Sequence, residues 1–210
     1  IVAVNVRPGP VIVSAVQHFA AGVVFAAAAA EIMPDVVHSG ALMATIVGGF
    51  AGIGVMLAIR QLERGTEGPV GLITLVGVDI LIDGLVLGIA FAAGAKAGLL
   101  LTIALSVEVL FLGLAVTTEL SQTIKSRVRI VMVIAALILL LPLGAFVATP
   151  IASLPDQYIT GFLSFGLIAL LYLVTEELLV EAHETPDKPW VTAMFFIGFL
   201  LLLSLEEVMS

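Results

Sequence analysis

Residues 76–94, VGVDILIDGLVLGIAFAAG, and residues 99–120, LLLTIALSVEVLFLGLAVTTEL, flank a short turn around Lys96. Each run is long enough to cross a bilayer as a helix, which takes about 20 apolar residues. Asp79 and Asp83 stand near the middle of the first run and Glu108 near the middle of the second. A carboxylate at the hydrocarbon centre costs roughly 2.5–3.5 kcal/mol on insertion scales, so acids at that depth are expected to face a protein interior and to mark an ion pathway or proton relay.

The rest of the chain has the same character. It is 61% hydrophobic and only 11% charged, with a mean hydropathy of +1.25, whereas a soluble domain is about one quarter charged. The sequence therefore predicts an all-α, polytopic membrane bundle. Its 210 residues hold about seven spans in a single transmembrane domain, with nothing left for an extramembrane catalytic module. No enzyme is expected. An intramembrane aspartyl protease would need YD and GxGD contexts on separate helices, and neither occurs. Cys is absent, which removes disulfides and thiolate ligands together. The net charge of −8 opposes nucleic-acid binding, which needs clustered Lys and Arg, and favours a cationic ligand. The chain opens on Ile1, from which a preceding segment is expected, and no signal-peptide pattern is visible.

Spans are predicted at about 9–33, 40–62, 70–93, 97–121, 131–147, 158–182 and 190–206, with no strand-like alternation to compete. Pro34 and Asp35 are expected to end the first, because proline lacks the donor that would extend it. The second contains VGGFAGIG (47–54), small residues that permit close helix approach within the chain or across a homodimer. Arg60, Glu63, Arg64 and Glu67 are assigned to the next loop, and Pro142 predicts a kink in the fifth span. In a seven-span layout Arg7, Arg60, Arg64, Lys125, Arg127, Arg129 and Lys188 fall on one side and Lys96 on the other. The positive-inside rule makes the first side cytoplasmic, with the visible N-terminus inside, the C-terminus outside, and the chain in the cell (inner) membrane. Asp35, Asp156, Glu206 and Glu207 then give the outer face an acidic surface.

Asp79 and Asp83, four apart, share one helix face and can grip one cation; the simpler reading is a pair of protonated acids bonding between helices. Asp79 and Glu108 both open the pattern acid, four residues, Gly, Leu, which suggests a pseudo-symmetric core with a midplane site. Glu176, Glu177, Glu181, His183 and Glu184 form a second acidic cluster near the inner end of the sixth span, read as an ion exit or a solvated helix end. Glu31 lies at the outer end of the first span, as a cation contact or an interfacial acid. His18 reads as a packing histidine, and Glu119 as a partner of the basic loop.

Four stretches resemble the ZIP (Zrt/Irt-like) metal transporters. FAAGVVFAAAAAEIMPD (19–35) is similar to the family's second helix. DILIDGLVLG (79–88) resembles its fourth-helix HNxPEGLAxG motif, EVLFLGLAV (108–116) its fifth-helix motif, and TEELLVEAH (175–183) its seventh-helix SHExxPE run. The resemblance implies an eight-helix fold whose first helix is not in this sequence. It puts Asp79 at a ligand His position, Asp83 at the bridging Glu, Glu108 at a His or Gln, and Glu176 and Glu177 at a His and its Glu. Ile80, Ile82, Val109, Phe111 and Leu112 stand where the family has Asn, Pro, Asn or Asp, Pro and Glu. Imidazole has given way to carboxylate, so one site of three carboxylates replaces the family's two-metal centre.

The expected function is transport of a divalent metal cation through Asp79, Asp83 and Glu108. Glu31, Glu176, Glu177, Glu181 and His183 serve as further metal contacts along the route. Oxygen ligands suit Mg, Mn or Ca better than Zn, although Zn accepts carboxylates. A proton or monovalent-cation carrier on the same scaffold, or a non-transporting membrane subunit or sensor, is the alternative.

Overall fold

The computed structural model describes residues 9–63, 68–186 and 188–209; Arg7, Arg64 and Glu67 lie outside the described residues. Among these, seven helices are long and apolar enough to cross a membrane, and there is no strand. They are α1 Pro10–His38, α2 Leu42–Glu63, α3 Gly68–Ala93, α4 Ala95–Thr123, α5 Arg127–Ser153, α6 Asp156–Ala182 and α7 Pro189–Met209. The protein is an all-α helical bundle, consistent with an integral membrane protein.

Two helices depart from their expected limits. α1 passes through Pro34 and ends at His38. Residues Ala28–Ile32 form a π turn, with the Met33 N–H bonding back to the Ala28 carbonyl, so the missing amide of Pro34 falls where the hydrogen-bond ladder is already shifting register. α5 starts early, at Arg127, where the Ser126 side chain accepts from the Arg129 amide at 3.5 Å. Its α-helical ladder is interrupted at Leu139, between Ile138 and Leu140. Ile138 holds the carbonyl that Pro142 cannot bond, which accounts for the break. Arg60 lies inside the last turn of α2 rather than in the loop.

The helices form an inner and an outer set. In the most apolar stretch of each, 67% of residues are buried in α1, 56% in α3 and 44% in both α4 and α6, against 22% in α2 and 17% in both α5 and α7. Each outer helix packs mainly on one inner helix: α7 on α1, α2 on α6 and α5 on α3. Within the inner set α1 meets α4 and α6, α6 meets α3, and α3 meets α4. Exchanging α1 with α6, α7 with α2 and α3 with α4 reproduces these pairings apart from that of α5 with α3, since no outer helix packs mainly on α4 among the described residues. The exchange swaps odd with even helices, which run in opposite directions, so it describes an inverted repeat with its axis in the membrane plane. Both α1 and α6 carry a π turn, the second at Leu173–Leu178.

Glycines set the outer-to-inner contacts, as expected where lipid gives apolar faces no reason to associate and close packing must do so. A Cβ at Gly22 would strike the Phe195 backbone, one at Gly198 the Phe19 carbonyl, one at Gly48 the Gly161 backbone and one at Gly84 the Leu141 carbonyl. Gly48 and Gly52 of VGGFAGIG thus pack on α6, whereas Gly54 has nothing within 4 Å.

Candidate cation site

Asp79 and Asp83 sit one turn apart on α3, and the adjacent α4 presents Glu108 to them. One carboxylate oxygen from each lies within 4.8 Å of the other two. Asp83 is 4% exposed and Glu108 1%, while Asp79 is half-buried. Asp83 Oδ2 and Glu108 Oε2 are buried with no hydrogen-bond partner among the described residues. At 4.8 Å two unit charges repel by roughly 3.5 kcal/mol even at an effective dielectric of 20. A bound cation or bound protons relieve that repulsion.

Two apolar clusters enclose the trio along both helices. Val86, Leu87, Leu101 and Leu105 belong to one, and Val76, Ile80, Val116 and Leu120 to the other. Asp83 and Glu108 fall between the two, and Asp79 lies at the edge of the second, between Val76 and Ile80.

The other predicted residues separate into distinct places. Glu177, half-buried on the π turn of α6, is close enough to interact electrostatically with both Asp83 and Glu108. Glu176 points elsewhere, bonded to Arg60 of α2 at 2.6 Å with both side chains 41% exposed. Neighbouring residues on a helix project about 100° apart, so only one of this pair can look inward. Glu181 and His183 are exposed at the end of α6; Glu181 accepts from Gln17 Nε2 at 2.7 Å. Glu31, 9% exposed on the π turn of α1, lies 3.7 Å from Lys96 Nζ, which also donates to Glu206 at 3.1 Å. Glu119, expected to pair with the basic loop, accepts from Gln122 at 3.2 Å.

The sequence reading missed the polar seam between the start of α1 and the end of α6. Ser14 Oγ donates to the Ala182 carbonyl at 2.7 Å, Gln17 to Glu181, and the His18 and His183 rings lie 5.0 Å apart. The spacing 14, 17, 18 in an otherwise apolar run was its signal, since residues three and four apart share a helix face.

The Arg60–Glu176 pair gives a contrast within one dipeptide. Glu176→Gln is expected to leave stability nearly unchanged, as for other exposed ion pairs, and to leave cation binding within a factor of about two. Glu177→Gln, which removes a charge facing the trio, is expected to weaken cation binding about tenfold, in the range found for loss of outer-shell partners. Calorimetric titration of both variants checks this, and equal effects would place both residues in one role.

The chain matches no known family profile and no curated protein.

Proposed function

We propose that this protein carries a divalent metal cation across a membrane through a midplane site of Asp79, Asp83 and Glu108, and that it is a divergent ZIP-like transporter. The observation that carries the reading is the convergence of three carboxylates from two inner helices, within 4.8 Å of one another, with buried oxygens on Asp83 and Glu108 that no donor among the described residues reaches. The inverted pairing of helices around the trio supports it, because transporters place their sites at such repeat interfaces. One ion is bound rather than two. Ile80, Val109 and Leu112, where the resemblance would put ligands of a second metal, line an apolar void of about 10 Å³.

In this reading the cation enters past Glu31 on an acidic outer face and leaves past Glu177, Glu181 and His183 on the cytoplasmic side of the cell membrane. The all-oxygen trio favours Mn, Mg or Ca, with Zn accepted. The test is flux in reconstituted vesicles with a metal-sensitive dye inside. Uptake of a divalent cation that vanishes in Asp83→Asn is expected. Proton flux without metal uptake would favour the proton carrier, and binding without flux a sensor.

A metal binds the deprotonated carboxylates, so occupancy displaces protons and affinity rises with pH until the site is fully ionised. Calorimetry in buffers of different ionisation enthalpy should count at least one proton released per ion between about pH 5 and 7. The trio titrates as a unit, described by macroscopic constants. A count of zero would sink proton–metal exchange.

A further inference from the structure

The seam between α1 and α6 holds a second set of metal-binding groups, chemically unlike the carboxylate trio. His18 is 1% exposed. Its Nδ1 lies 2.9 Å from the Ser14 carbonyl, which can only accept, so Nδ1 carries the proton and Nε2 the lone pair. That Nε2 is buried with no hydrogen-bond partner among the described residues, an arrangement that costs its full desolvation unless something binds there.

The ring beside it is His183, with centroids 5.0 Å apart and planes at 59°. In His183 it is likewise Nδ1 that meets a main-chain carbonyl, that of Leu179. Metal-bound histidines are held in this way, one ring nitrogen donating to a carbonyl and the other left to the ion.

The separation of the rings leaves room for a shared ion. With metal–nitrogen bonds of about 2.0–2.1 Å, an ion stands roughly 3.2 Å from each ring centre, and a tetrahedral angle then puts the two centres roughly 5.2 Å apart. The observed 5.0 Å is close to that. Charge is available beside it: Glu181 is bonded to Gln17, the neighbour of His18, at 2.7 Å. Access is available too, because His183 lines an open concavity of about 430 Å³ with Thr175, Leu179, Val180 and Glu184.

We propose that His18 and His183 form a two-imidazole site for a first-row transition-metal dication where the start of α1 meets the end of α6. Water fills the remaining coordination positions on the exposed side, and Glu181 offsets the charge. Imidazole selects Zn, Cu, Ni or Co over Mg and Ca. The site's preference therefore differs from that of the oxygen-only trio, and it stands whether or not the trio carries ions.

The untagged 210-residue chain in detergent, titrated with Cu²⁺ and followed by electron paramagnetic resonance, tests it directly. The chain has three histidines, so each can be removed in turn. Nitrogen coupling from two imidazoles is expected in the unaltered chain and in His38→Gln. It is also expected in the triple variant Asp79→Asn, Asp83→Asn, Glu108→Gln, which separates this site from the trio. Coupling from one imidazole is expected in His183→Gln, whose exposed side chain leaves folding intact, and none in the double variant His18→Gln, His183→Gln. Zn²⁺ affinity should fall at least about tenfold in each single variant. Coupling that survives the double variant, or that disappears in His38→Gln, overturns the proposal.

Discussion

Replacing Glu108 with glutamine is expected to reduce cation flux at least about 100-fold while leaving the folded bundle as stable as before, or more so. The side chain is 1% exposed and its Oε2 has no hydrogen-bond partner among the described residues. An amide of the same shape relieves the crowding of buried carboxyl groups without opening a cavity. Loss of even an outer-shell partner costs a metal site about 10- to 100-fold, and Glu108 is proposed as one of the ligands themselves. The two effects therefore run in opposite directions, as they do where a site is held at the expense of stability. Thermal unfolding in detergent shows both: a cation at 100 times its Kd stabilises a binding-competent protein by about 2.7 kcal/mol. That shift should be present in the unaltered chain and absent in Glu108→Gln. A variant that melts lower without metal and still binds would make Glu108 a structural residue.

The second large effect lies outside the site. Gly84→Val is expected to prevent α3 and α5 from packing, and so to abolish recovery of monodisperse protein. A Cβ at Gly84 would overlap the Leu141 carbonyl oxygen and lie 2.9 Å from the Gly144 Cα. Both obstacles are backbone, so no rotamer change relieves them. Overfilling an ordinary core costs about 1–3 kcal/mol because side chains can shift; here a whole helix must move. Gly54→Ala is the matched control, a helical glycine with nothing within 4 Å, and it should stabilise by about 0.5–1 kcal/mol. Size-exclusion profiles and melting curves of the two variants compare them. Equal behaviour would show that close backbone contact does not hold the outer helices.

The sequence made seven spans legible because bilayer thickness imposes a length that a soluble fold does not. It also singled out Asp79, Asp83 and Glu108, since acids are rare at that depth. What it could not give was the division into inner and outer helices. α5 has the highest hydropathy of the seven, 3.0, yet is among the least buried, because lipid accepts apolar side chains as readily as a protein interior does. Glu176 and Glu177 were indistinguishable by sequence. Their separation depends on the rotation of α6 against α2, and that is fixed by the contact of Gly48 with Gly161. The π turns left no sequence mark apart from the proline after the first.

The glycine contacts have a mechanical consequence. α7 is joined to α1, α2 to α6 and α5 to α3 by backbone lying against backbone, where sliding one helix past the other would meet carbonyls rather than pliant side chains. Each pair is stiff in the way a laminated plank is stiff. Three planks and the bare helix α4 make four bodies, so the chain has far fewer ways to deform than seven independent rods would. Glu108 rides on the lone rod and Asp79 with Asp83 on a plank, so the three carboxylates straddle a boundary between two of these bodies.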